Sequence, residues 1–257
     1  MPGLVDIHSH LLWGLDDGAA TFEESLAMLR LATSSGTTHI VATPHINEFF
    51  HFDPNAAPEM IHRLREAAQD SAQIHLGAEL RLDYENLQRV LANPALHTID
   101  HGSYLLVEFS EFVPPAAGEV LKRLLMAGIT PVIAHPERNT WLQKKPELLR
   151  EWTNWNCVLQ LTAQSVLGEM GREAKECSWR LIEMGLAHVV ASDSHDTLKR
   201  PPRLDEAYRL VSRKWGKACA ERLFVTNPLA IIEDELLPLE PEPVPSKRRH
   251  FIAGLFG

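Results

Sequence analysis

The stretch DIHSHLLWGLDDG, Asp6 to Gly18, follows directly on the apolar pair Leu4-Val5 and decides how the rest of the chain is read. Leu4 to His8 has the β-branched, buried character of a strand. Side chains on a strand alternate, so Asp6, His8 and His10 are expected on one face, with His8 and His10 able to hold one cation. Asp16 and Asp17 then come out of the loop before any helix begins. Thr21 and Glu24 form a capping-box pattern for a helix that Gly36 stops.

Working outward, six more strand-like runs follow at regular intervals. They are Thr38 to Thr43, Ile74 to Leu80, Tyr104 to Phe109, Thr130 to His135, Cys157 to Thr162 and His188 to Asp193. Amphipathic stretches lie between them, around Pro58 to Asp70, Ala116 to Ala127, Pro146 to Trp155, Arg172 to Met184 and Leu204 to Trp215. Seven alternating βα units imply a parallel sheet, and closure into a TIM-like barrel is favoured over an open doubly wound sheet. The open sheet's usual companion, a glycine-rich phosphate loop after the first strand, is missing.

The 257 residues, 45% hydrophobic and 23% charged, suffice for one large domain. A formal charge of −9 argues against nucleic-acid binding, which needs a basic surface to displace counterions. Cys157, Cys177 and Cys219 have no paired short spacing, and the N-terminus carries no signal-peptide pattern, so a reducing cytoplasm is expected. The domain is expected to span residues 1–235. From residue 236 the composition turns proline-rich and then basic and apolar, which reads as a flexible tail over residues 236–257. Weak docking of that tail to an anionic membrane or a protein partner is the functional alternative to plain disorder.

Six of the seven strand ends carry metal-type ligands: His8 with His10, His45, Glu79, Glu108, His135, and Asp193 with His195. In a parallel barrel the carboxyl ends of the strands meet on one face. Each ionisable group sits just past a buried apolar run, where charge is costly unless paired or metal-bound. One such residue would be unremarkable as a hydrogen-bonded or surface group; a shared site accounts for all of them together. With Asp17 the set is large enough for two or three cations, Glu79 or another carboxylate bridging. Imidazole and carboxylate without thiolate suit Mn, Fe, Zn or Mg. Clustered cations supply hydroxide near neutral pH and stabilise an in-line displacement, which points to phosphate-ester hydrolysis. Arg138 and Arg200, close behind His135 and His195, can grip phosphate oxygens. Trp13, Phe49, Phe50 and Phe112 could stack on a substrate ring, although core packing is the plainer role for each.

In order, DIHSH, DDGA, TPH, GAEL, VEF, AHPER and SDSH resemble the polymerase and histidinol phosphatase (PHP) superfamily, over nearly Val5 to Pro202. Within it they look like the CpsB/YwqE type of bacterial protein-tyrosine phosphatase linked to capsule and exopolysaccharide export. The resemblance implies a distorted (β/α)7 barrel and a trinuclear site commonly assigned manganese (Mn2+). It implies, as substrate, the tyrosine-rich tail of a membrane-bound chain-length kinase. Carried over by motif, the metal ligands are His8, His10, Asp17, His45, Glu79, Glu108, His135, Asp193 and His195, and Arg138 and Arg200 hold phosphate. Asp16 would stand behind the ligands or face solvent. The loop INEFFHFDPN after His45 departs from the better-known relatives and is expected to shape the pocket rim. The sixth strand end offers only Thr162 and Gln164, a polar wall.

A cysteine phosphatase is excluded, because Ala163, Glu183 and Val225 stand six positions after the three cysteines where an arginine is required. An amidohydrolase would present a bridging lysine where Glu79 and Glu108 stand. A histidinol-phosphatase-like or other small-molecule phosphatase shares the metal chemistry and stays open, as does a non-enzymatic metal-binding docking protein.

Overall fold

The computed structural model describes residues 2–50, 52–110, 113 and 116–237; Phe112 and the segment 238–257, on which the tail reading falls, lie outside them. Strand β1 (Leu4–Ser9) leads through the Asp16-Asp17 loop to helix α1 (Phe22–Ser34). Thr21 caps that helix, accepting from the Glu24 backbone N–H at 3.2 Å, while Glu24 Oε2 accepts from Ala20 N at 2.9 Å. Strands β2 (Thr37–Ala42) and β3 (His45–Ile46), helix α2 (Ala57–Ala67), strands β4 (Gln73–Leu76) and β5 (Glu79–Arg81) and helix α3 (Tyr84–Ala92) follow. Then come β6 (Tyr104–Glu108), α4 (Ala117–Met126), β7 (Thr130–Ala134), α5 (Pro146–Asn154), β8 (Val158–Thr162), α6 (Ala163–Leu167) and α7 (Arg172–Glu183). β9 (Val189–Ala191), α8 (Asp205–Trp215), α9 (Lys217–Glu221) and α10 (Asn227–Ile232) complete the described chain.

All strand pairings are parallel. One ladder runs β1-β2-β4 and another β3-β5-β6-β7-β8-β9. Only Thr43-Pro44 separates β2 from β3 and only Gly77-Ala78 separates β4 from β5, so the two ladders are consecutive parts of the same two strand positions. Across the remaining seam, Ser9 bridges Ser194, Asp193 N donates to His8 O at 2.9 Å and His10 N donates to Ser194 O at 2.8 Å. The pairings therefore pass round seven positions and return to β1, a distorted barrel.

Two expectations are corrected here. Ile74 to Leu80 is not one strand: Gly77 N turns to Ala42 O at 2.9 Å, and Glu79 then pairs with His45 on β3. A Cβ at Gly77 would meet Ile99 Cγ1 at 3.1 Å, so the bend is made where a side chain would be crowded. Of Asp6, His8 and His10, the two histidines do meet in one ligand group with Glu79, but Asp6 does not join them; the β1-β2 register slips between Asp6 and Ser9. Asp6 lies apart from the ligand groups, and its Oδ1 accepts from Ser192 N at 3.0 Å and so fastens β9 to β1.

The apolar interior has two parts. Val5, Ile7, Val41, Leu106, Val132, Val158 and Val189 fill the barrel, with Ile231 and Ile232 of α10 among them. A larger cluster packs the helices against the outside of the strands. The barrel's apolar filling is thus supplied partly by the last helix, leaving the C-terminal strand ends to polar groups.

Candidate metal centre

The nine ligand candidates meet at those strand ends in four overlapping groups whose ligand atoms lie within 4.8 Å of one another. These are His10, Asp17, His45 and His195; His8, His135 and Asp193; His8, His10 and Glu79; and His45, Glu79 and Glu108. Glu79 is the hub. Its Oε2 stands 3.2 Å from His8 Nε2, 3.4 Å from His10 Nε2 and 3.0 Å from His45 Nδ1, and its Oε1 stands 3.0 Å from His135 Nε2. Asp193 is a second centre: Oδ1 is 3.4 Å from His8 Nε2, 3.5 Å from His10 Nε2 and 3.7 Å from His195 Nδ1. Its other oxygen accepts from both Arg138 and Arg200. Asp17 reaches in from the first loop, 3.4 Å from His45 Nε2 and 3.5 Å from His195 Nε2.

Local backbone aims these groups. His135 (φ 34°) and Asp193 (φ 52°) both adopt left-handed conformations that non-glycine residues disfavour. His135 directly follows β7 and Asp193 stands two residues after β9, so both outliers fall where a buried apolar strand gives way to the ligand cluster. In the first loop Asp16 Oδ1 accepts from Gly18 N at 3.0 Å and Ala19 N donates to His10 O at 3.2 Å. A Cβ on Gly18 would lie 2.2 Å from His10 O, so only glycine allows this return.

Behind the ligands stand groups that orient them. His10 Nδ1 lies 2.7 Å from Asp16 Oδ2, which also accepts from His45 N at 3.0 Å. His8 Nδ1 lies 2.8 Å from Gln160 Oε1. With Nδ1–H donated outward in both rings, Nε2 faces the centre as a lone pair, the arrangement that metal-binding histidines use. Of the two places open to Asp16, the structure gives the one behind the ligands.

The electrostatics are those of a dense cluster of both signs. Burial disfavours charge on His8 and His10, yet Glu79 and Asp193 raise His8 above the usual imidazole range, and Asp16 raises His10 well above it. Burial likewise opposes the Glu79 and Asp193 carboxylates, but facing imidazoles hold both well below the usual carboxylate range. Asp17 is lowered, first by its bond to His195. Burial and the neighbouring His10 lower His195.

These residues fit divalent cations. Glu79 Oε2, Glu108 Oε2 and His45 Nδ1 are buried and make no hydrogen bond, although Glu79 Oε2 has three imidazole nitrogens within 3.4 Å. Atoms that crowd a common point without donor-acceptor alignment are disposed as ligands, and their hard and borderline character suits the metals named above. The three cysteines are buried and free, with burial pushing Cys157 and Cys177 up to about 12, so they offer no nucleophile.

Sequence reading passed over two participants. Gln160, buried in the middle of β8, orients His8; its signal was a polar residue on an inward position between Val158 and Thr162. Glu137, fully buried, accepts from Thr162 N at 2.9 Å and fixes the turn carrying Arg138; burial raises its pKa. Gln164 donates to Lys199 O at 2.7 Å, tying the Arg200 loop to α6. Among the aromatic candidates, Phe50 lies parallel to His45 at 6.1 Å, Phe49 is 74% exposed, and Trp13 packs edge-on against Phe22.

Residues 4–233 match the CpsB/CapC family of capsular polysaccharide synthesis proteins. The tyrosine-protein phosphatase CpsB of Streptococcus pneumoniae is 34% identical over 244 residues, covering 91% of this chain and 100% of that protein. The tyrosine-protein phosphatase YwqE of Bacillus subtilis (strain 168) is 33% identical over 251 residues, 96% of this chain and 98% of its own. A crystal structure from work on B. subtilis YwqE and S. pneumoniae CpsB, described as unique metal-dependent tyrosine phosphatases, superposes with a TM-score of 0.87. It is 32% identical and the match covers 95% of this chain and 100% of that one. The β-aspartyl dipeptidase of Fervidobacterium islandicum AW-1 shares the fold alone, with a TM-score of 0.58 and 13% identity over 90% of this chain and 75% of its own. From the order of its motifs, the architecture that carries them and the relatives that share both, the chain belongs to the CpsB/CapC family.

Proposed function

We propose that this protein is a metal-dependent protein-tyrosine phosphatase whose catalytic unit is residues 1–235. Its nine ligands, His8, His10, Asp17, His45, Glu79, Glu108, His135, Asp193 and His195, hold two or three divalent ions, Mn2+ foremost. The observation that carries this reading is the convergence of residues from six strand positions on Glu79 and Asp193, with two arginines on the outer oxygen of Asp193. Bound divalent ions would supply Lewis acidity and a nucleophile at neutral pH.

The chain's own residues do the rest. Arg138 and Arg200 bring two guanidinium groups to one edge of the cluster, where they can grip phosphate oxygens and neutralise charge as it builds. Arg200 Nε is buried without a hydrogen-bond partner, so this guanidinium keeps a donor that Asp193 does not use. The ring of Phe50 beside His45 offers a flat apolar wall for a phenyl group. Phenolate, with a pKa of about 10, leaves readily enough that a dedicated proton donor is dispensable. His135 and Asp193 are catalytic through the cluster they complete. The physiological substrate in this reading is a phosphotyrosine segment of a membrane-bound bacterial tyrosine kinase of capsule export, met in the cytoplasm. No helix among the described residues is long and apolar enough to cross a membrane.

Phosphate release from a phosphotyrosine peptide, a phosphoserine peptide and histidinol phosphate, measured with added Mn2+, tests the proposal. It requires kcat/KM to be highest on phosphotyrosine, and an Arg138→Ala variant to lose about 100- to 1,000-fold, as for loss of a charge-stabilising donor. Preference for histidinol phosphate would make the protein a small-molecule phosphatase. No turnover by folded, metal-loaded protein would leave only the docking role.

A further inference from the structure

Three loops that leave the site share one construction. Asn47, two residues after His45, accepts at Oδ1 from the backbone N–H of Phe49 (2.9 Å) and Phe50 (3.0 Å). Asn139, directly after Arg138, accepts from Trp141 N and Leu142 N, both at 3.0 Å. Asp196, directly after His195, accepts from Leu198 N (2.6 Å) and Lys199 N (2.5 Å). In each turn the residue two places past the side-chain acceptor is large, apolar and exposed: Phe49 at 74%, Trp141 at 41% and Leu198 at 88%.

Three of the few large apolar side chains exposed among the described residues therefore stand on the loops after β3, β7 and β9, around one opening. Each leaves apolar surface in water that burial against a ligand would remove. The side-chain acceptors fix the backbone beneath them, so a ligand meets them already ordered. Two of the three also have a cation close by in a chain whose net charge is −9. Lys145 Nζ lies 5.8 Å from the Trp141 ring centre and Lys199 adjoins Leu198, whereas Arg81, on the Phe49 side, is already paired with Glu48 at 2.9 Å.

A small phosphate ester would end at the arginines and the Phe50 wall. Only a ligand that runs out of the opening and across its rim reaches all three fingers. Building on the phosphatase reading above, we infer that Phe49, Trp141 and Leu198 form subsites for the peptide on either side of the phosphotyrosine. They select segments whose flanking residues are aromatic or acidic, the apolar faces taking the rings and the adjacent cations taking the charge.

The test compares three substrates with Mn2+ present: a short phosphotyrosine peptide with tyrosine and glutamate flanks, the same length with glycine and serine flanks, and p-nitrophenyl phosphate. Wild-type protein should favour the first peptide over the second by about tenfold in kcat/KM, as expected for a few apolar contacts. The variant F49S/W141S/L198S, altered only at exposed positions, should lose that preference through KM and keep its p-nitrophenyl phosphate rate within about twofold. Equal wild-type rates on the two peptides, or a matching loss on all three substrates, would overturn the inference while leaving the phosphatase standing. No hydrolysis of any of the three by wild type would overturn both. Light scattering that finds wild-type oligomers dispersed by the triple substitution would assign the rim to a second copy of the chain and overturn the subsites.

Discussion

Gln160 shows how much of a metal site depends on residues that bind no metal. It holds the outer nitrogen of His8 from within a strand whose neighbours Leu159 and Leu161 face the helices. Replacing it by Leu keeps the volume and leaves His8 Nδ1 buried without a partner, which costs orientation of the ring. Gln160→Leu should lower phosphotyrosine turnover about 10- to 100-fold and reduce bound metal per chain by a measurable fraction, read by atomic emission after gel filtration. Normal metal content and normal rate would remove Gln160 from the site. That the nine ligand candidates would meet was legible in the sequence, because each follows a strong apolar run or, with Asp17, sits in the motif that follows the first. Gln160 and Glu137 were not, since their importance lies in which atom they meet 152 and 25 residues away.

At the scale of elements, periodicity located the seven strand positions and most helices to within a residue or two. It missed α3, although Asp83 accepts from Asn86 N at 2.8 Å as an N-cap and Pro94 follows the helix. It joined β4 to β5, because GAEL reads as continued strand until the bend at Gly77 is seen. The last helix had no sequence signal for its role: Asn227 to Ile232 is apolar enough to be core, but only the topology puts Ile231 inside the barrel. Ile231→Ala should cost about 2–4 kcal/mol in urea unfolding, because the cavity would open between strands that cannot collapse onto it. A loss below about 1 kcal/mol would mean that α10 does not support the barrel.

For the whole molecule, the parallel ring explains why residues from position 8 to position 200 form one site, and why the first loop and the last share it. Stability follows from the same closure. His188, just before β9, accepts from Leu159 N at 3.1 Å through Nδ1, and burial, then Arg222, push its pKa down to about 4. The unfolded chain takes up a proton there near pH 6.5 and the folded chain only near pH 4. Its contribution is therefore complete above pH 6.5 and is lost as pH falls from 6.5 to 4, on the order of 3 kcal/mol. His188→Gln, which keeps an acceptor that does not titrate in this range, should flatten this part of the stability curve relative to wild type. Parallel curves for the two proteins would contradict the assignment.

In the proposed reaction one shared cluster of divalent ions, held around Glu79, carries phosphotyrosine hydrolysis. Its most direct test is phosphate release from a phosphotyrosine peptide by chelator-stripped protein as Mn2+ is returned, for wild type and for Glu79→Gln of equal circular dichroism. Stripped wild type should show no turnover, activity should recover fully as Mn2+ rises to two or three ions per chain, and the variant should reach a plateau at least about 100-fold lower. Undiminished turnover after stripping, or a variant that recovers like wild type, would contradict the proposal.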